Sequence, residues 1–114
     1  MQFVFDSSAA EDDSDRIVRT FFETVLSRGC FLKALEMIVL KHGFVSDEEG
    51  CSFPDWDDAP ELHFHGVMFF TFQEKTVITE QRCREYIDAA CAEHMWTNLD
   101  DAEKVRQILR KRLF

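Results

Sequence analysis

The sequence predicts an α+β domain, a small antiparallel β-sheet packed with about four α-helices, and three observations carry that expectation. Apolar residues recur at helical spacing twice before residue 43 and twice after residue 79, and over residues 62–78 the period drops to two. Period two sends alternate side chains to opposite faces of a strand, whereas recurrence at i, i+3 and i+4 gathers them on one side of a helix. Strands clustered in the middle of the chain, instead of alternating with helices, favour an antiparallel sheet.

The 114 residues fit a single domain over 1–114, able to remove roughly two-thirds of its unfolded surface from water. Residues 6–13 (DSSAAEDD) are small and polar, so 1–13 reads as a flexible lead, with Phe3-Val4-Phe5 a candidate short strand and Ser14 a candidate helix cap. Ile17, Val18, Phe21, Phe22, Val25 and Leu26 then mark one helical face, ending at Gly29. Phe31, Leu32, Leu35, Ile38 and Val39 mark a second, for which Gly43 supplies the stop. Two helices joined at Gly29 form a hairpin or sharp elbow.

From Leu62 the pattern alternates. Leu62, Phe64, Met68, Phe70 and Phe72 share one parity, expected to face the core, and His63, His65, Val67, Phe69 and Thr71 share the other. Gln73-Glu74-Lys75 reads as a tight connection to a returning strand at Thr76-Val77-Ile78, which makes a hairpin, with Cys51-Ser52-Phe53 a possible third strand. Thr79 is placed to cap the next helix, whose inner face is Cys83, Tyr86, Ile87, Ala90, Cys91, His94 and Met95. The last helix opens on Asp100 with capping-box spacing to Glu103, buries Val105, Ile108, Leu109 and Leu113, and closes on Arg110-Lys111-Arg112, cations at the negative end of its dipole.

The net charge of -9 is unevenly spread: residues 1–61 hold fourteen acids against five bases, and residues 62–114 hold eight of each. Such a field repels nucleic acid and anionic membrane and attracts basic proteins. Seven of the acids crowd into Asp47–Glu61: Asp47, Glu48, Glu49, Asp55, Asp57, Asp58 and Glu61. A solvated loop accounts for the acids, but it has little use for the indole of Trp56 in their midst. Tryptophan is enriched among interface anchors, and Pro54 and Pro60 reduce the entropy lost on immobilising the segment. These eight residues are the candidate partner-binding set, with Trp56 alternatively a core residue that pins the loop.

Other chemistry is weakly signalled. His63-x-His65 with Glu61, and Cys51 if the fold delivers it, could hold an ion, but no third nitrogen or sulfur ligand lies at short spacing. Cys30, Cys51, Cys83 and Cys91 lack zinc spacing and read as reduced core thiols. No strand-turn-helix nucleophile elbow and no glycine-rich phosphate loop are present, so no catalytic residue, metal or cofactor is expected. The basic residues Lys104, Arg106, Arg110, Lys111 and Arg112 stand beside acids with no aromatic residue interleaved, which argues against direct RNA binding. The lack of a long apolar run and of a basic leader points to a cytoplasmic protein.

Taken together, CSFPDW with its acidic continuation, HGVMFFTFQEKTVITEQRCREYIDAAC, and the preceding FFETVLSRGCFLKALEMI and GF resemble the immunity proteins of bacterial contact-dependent growth inhibition systems, the ribonuclease toxin immunity group. The likeness runs from about Ile17 to Arg110. It implies a cytosolic, non-enzymatic antidote that binds the basic nuclease domain of its cognate toxin one to one and covers the active site, with EndoU-type or RNase A-like toxins as the associated classes. The competing readings are an acidic adaptor for another basic protein, and a metal or thiol enzyme built on His63, His65 and Cys51.

Overall fold

The computed structural model describes residues 15–46, 48–57 and 59–114, the side chain of Leu62 excepted. The Ser14 cap, the strand at Phe3-Val4-Phe5 and the flexible lead therefore lie outside the described residues.

Helix α1 (Arg16–Ser27) buries Ile17, Val18, Phe21, Phe22 and Val25, the face its spacing predicts. It stops where Gly29 takes a φ of +76°, with the Gly29 amide donating to the Leu26 carbonyl at 3.4 Å and the Cys30 amide to that of Val25 at 3.1 Å. Those two bonds satisfy carbonyls the helix would otherwise leave open, and glycine adopts the left-handed turn without steric cost. Helix α2 (Phe31–Val39) buries Phe31, Ala34, Leu35, Ile38 and Val39. Its terminator is Lys41, not the expected Gly43. Lys41 has a φ of 59°, and the Lys41 and His42 amides donate to the Ile38 and Met37 carbonyls, each at 2.9 Å. Gly43 is needed for a different reason: a Cβ there would stand 2.9 Å from the carbonyl oxygen of Cys51.

Four strands follow, β1 (Phe44–Ser46), β2 (Glu49–Ser52), β3 (Val67–Phe70) and β4 (Lys75–Ile78), in one antiparallel meander ordered β1-β2-β3-β4. The expected third strand is β2, and β1 is an addition too short to show a pattern. The β3–β4 turn is closed by the Thr71 amide on the Glu74 carbonyl at 2.8 Å and by the Thr71 hydroxyl, which accepts from the Gln73 and Glu74 amides.

The expected core face of the hairpin is corrected. Val67 and Phe69 are fully buried, whereas Met68 and Phe70 lie on the opposite face and Phe72 is exposed beyond the strand. Both parities of this run are apolar, so alternation does not select a face; the partners do. Phe69 stands opposite Cys51, and Val67 opposite Ile78, both buried. The strand is also shorter than the alternation implies. Pro60–Leu62 form a 3-10 turn, and β3 begins only after Gly66, where φ is +109° and a Cβ would fall 2.1 Å from the Ile78 carbonyl oxygen.

Helix α3 (Glu80–Thr97) opens as predicted, the Thr79 hydroxyl accepting from the Arg82 amide at 3.0 Å, and buries Cys83, Tyr86, Ile87, Ala90 and Cys91. Before helix α4 (Ala102–Leu109), Leu99–Asp101 form a 3-10 turn. The Asp100–Glu103 capping box is not made: Asp101 holds the cap position without a side-chain cap bond, and its carboxylate meets His94 Nε2 at 2.9 Å. Val105 and Ile108 are buried, but Leu113 is exposed, its amide donating to the Val39 carbonyl at 2.9 Å. Phe114 turns in instead, 5.9 Å from the ring of Phe53.

The helices pack on one face of the sheet, α1 against β3 and α3, and α2 against α4 and β1. Phe21 meets Phe22 and Phe69 edge-on with ring centroids at 5.2 and 5.3 Å, and Phe22 stacks on Tyr86 at 6.1 Å. Each such pair adds about 0.5–1.5 kcal/mol beyond burial, tying α1, β3 and α3 into one nucleus. Beside it the buried Asp15 carboxylate accepts from the Tyr86 hydroxyl at 3.0 Å and from Arg82 Nε at 3.0 Å, with Arg82 Nη2 on the same oxygen. Burial and this acidic neighbour push the Tyr86 phenol up from its ordinary range.

Candidate functional site

Strand β2 divides the acidic segment. Glu48 and Glu49 fall at the β1–β2 turn, and Asp55, Trp56, Asp57 and Glu61 fall in the β2–β3 loop, so the two groups sit at opposite ends of a strand about 10 Å long. The single continuous acidic stretch of the sequence is therefore two acidic ends of one sheet. Asp47 and Asp58 lie outside the described residues.

At the first end Glu48 is exposed, and with Glu49, Thr71, Phe72 and Gln73 it lines a hollow of about 260 Å³. Glu49 shares the core-side parity of Cys51 and is half-buried, its Oε2 without a hydrogen-bond partner among the described residues. It is the least outward of the described candidate acids. At the other end Asp55, Asp57 and Glu61 are all exposed. The Asp55 carboxylate accepts from the Asp57 amide at 3.0 Å, a local turn that holds the loop tip open to solvent.

Trp56 is 54% exposed, so it is not a core pin. Its indole meets the imidazole of His63 edge-on at 4.9 Å and that of His65 at 5.3 Å. The histidines do not share a strand face, as the alternation suggested; both precede β3 and brace the indole. Beneath them opens a cleft of about 510 Å³ lined by Lys41, Phe53, Pro54, Trp56, His65, Gly66, Thr79 and Glu80. Across it Lys41 pairs with Glu80 at 2.7 Å and lies 5.9 Å above the Phe114 ring. The sequence singled out Trp56 for this end but not Lys41 or Glu80, which only the meeting of the α2 terminus with the start of α3 brings here.

No group of three or more His, Cys, Asp or Glu side chains stands together as an ion-binding cluster among the described residues. Cys51 is turned into the core beneath the sheet, where burial pushes its thiol up to about 12, so it joins neither His63 nor His65 and is a poor nucleophile. Burial raises the Cys83 thiol as well, and that of Cys91 to about 12.

No helix among the described residues is long and apolar enough to cross a membrane. No curated protein matches the sequence. The family model described as CDI immunity protein matches residues 14–109, which takes in both acidic ends, the sheet and all four helices. On that match the chain belongs to the CDI immunity proteins, the toxin-neutralising partners of contact-dependent growth inhibition.

Proposed function

We propose that this protein neutralises a ribonuclease toxin domain, of EndoU-type or RNase A-like class, by binding it one to one in the cytoplasm and occluding its basic active-site cleft. The observation that carries the reading is the exposed indole of Trp56 flanked by the exposed carboxylates of Asp55 and Asp57, in a chain of net charge -9. An RNA-cleaving toxin needs cations to hold the phosphate backbone, and carboxylates presented at phosphate-like positions meet those cations. Blockade then comes from contact, without turnover.

The energetics divide between the two kinds of residue. Nanomolar protection corresponds to about -12 kcal/mol. Exposed acids at a rim contribute only about 0–1 kcal/mol each. Together they steer encounter, raising association toward about 10⁸–10⁹ M⁻¹s⁻¹ at low salt. Residence time requires a desolvated anchor, the role assigned to Trp56.

The test is a titration of the toxin's nuclease activity with the purified protein, together with association rates at increasing salt. One equivalent abolishes cleavage, and association slows steeply with ionic strength. Replacing Glu48, Asp55, Asp57 and Glu61 by the matching amides slows association in the same way. Full activity of the toxin at several equivalents would overturn the reading, and salt-independent association would remove the steering argument.

A further inference from the structure

The second face of the sheet is not the polar surface that a one-sided antiparallel sheet presents to water. In register across it stand Val45, Gly50, Phe70 and Lys75, and beside them Ser52, Met68 and Val77. Val45 is 60% exposed and Val77 42% exposed, and Phe72 at the adjoining turn is 76% exposed. Gly50 allows the Phe70 ring to lie across the sheet: a Cβ at that position would fall 2.7 Å from Phe70 Cζ and 3.0 Å from Val45 Cγ2. The result is a largely apolar platform, interrupted by Ser52 and carrying Lys75 on its edge strand.

We infer that this platform extends the desolvated part of the toxin interface beyond Trp56, and that the occupant is the basic toxin domain itself. The inference rests on the proposed function and locates its contact surface. Charge and size both point to that occupant. The platform spans the gap between the acidic ends, with Glu48 sharing a hollow with Phe72 at one end and the Asp55–Glu61 loop leaving β2 at the other. Apolar surface between two anionic ends fits a cationic partner, whereas a second copy of a chain of charge -9 would bring like charges together. A standard interface takes about 20–30 residues from each side, more than the loop at one sheet end offers, and the platform adjoins that loop through Ser52, where β2 ends.

The experiment measures binding of the purified toxin domain to the protein and to a Val45→Glu, Val77→Glu variant. Added carboxylates strengthen steering but put charge on the platform, so the two effects separate. The expected result is unchanged or faster association with dissociation accelerated at least a hundredfold, at a melting temperature within a few degrees of the parent. Unchanged or tighter overall affinity overturns the inference while leaving the proposed function standing. Failure of the parent protein itself to bind or inhibit the toxin overturns both. If the double variant does not fold, Phe72→Ser on the exposed turn takes its place, with at least tenfold weaker binding expected and unchanged binding overturning the inference. Sedimentation of the parent protein alone supplies the remaining control: a dimer dispersed by either variant would assign the platform to a second copy and overturn it.

Discussion

Removing the Asp15 carboxylate tests whether the start of α1 is held by its ion pair or by its apolar face. Asp15 accepts three hydrogen bonds on one oxygen, two from Arg82 and one from Tyr86. In Asp15→Ala the buried Tyr86 hydroxyl loses its acceptor, a cost of about 1–3 kcal/mol. Arg82 is half-exposed and regains water, so its share is far below the cost of stranding a buried charge and is about 1 kcal/mol. The expected loss is therefore about 2–4 kcal/mol, read from urea denaturation at pH 7 with the slope unchanged. Pairing the substitution with Tyr86→Phe isolates the hydroxyl: the phenylalanine background removes the stranded donor, so Asp15→Ala there costs about 1 kcal/mol less or better. A loss below about 0.5 kcal/mol, or full additivity in the cycle, would refute the reasoning and shift the weight to the aromatic nucleus.

Trp56→Ala should weaken toxin binding at least tenfold, about 1.4 kcal/mol, while costing no more than about 1 kcal/mol of stability, because the indole touches its own loop and not the core; calorimetric binding and thermal melting on the same sample check both, and a collapse in stability would return the indole to the core. At Lys41 the left-handed backbone costs about 1–2 kcal/mol for a side chain with a Cβ, and the Glu80 pair is surface-exposed and worth about 0–1 kcal/mol. Lys41→Gly is thus expected to be more stable than Lys41→Ala by about 1 kcal/mol in parallel denaturation curves, and the reverse order would show that the conformation is unstrained. The buried thiols give a pH signature. Cys51 and Cys91 stay protonated in the fold up to about 12, against an ordinary value of 9.0, so the folded chain binds more protons than the unfolded one across that window. Stability therefore falls as pH rises from about 9 towards about 12 and is unaffected by these groups below it. A Cys51→Ala, Cys91→Ala variant should show a shallower alkaline loss.

The helices were legible because apolar residues recur in them at helical spacing. Ile17 to Val25, Phe31 to Val39 and Cys83 to Cys91 all landed inside as their spacing requires. The Thr79 cap and the Gly29 stop were equally local, each fixed by the chemistry of a single residue. The candidate site was legible in type but not in layout: acid and indole were visible, while the division of the acids by β2, the inward lean of Glu49 and the bracing of Trp56 by His63 and His65 were not. Those features depend on where a strand starts, and Gly66 starts β3 five residues later than the alternation suggests.

By itself, then, the sequence determined the α+β class, the buried helical faces, the excess of negative charge and the presence of a tryptophan among the acids, since all of these are properties of composition and near-neighbour spacing. The tertiary structure alone decided which face of the hairpin is the core. With Met68, Phe70 and Phe72 on one parity and Val67 and Phe69 on the other, both faces are apolar, and only pairing with Cys51 and Ile78 beneath Phe21 and Phe22 selects between them. That choice, made by contacts distant in sequence, is what leaves an apolar platform facing outward between two acidic ends.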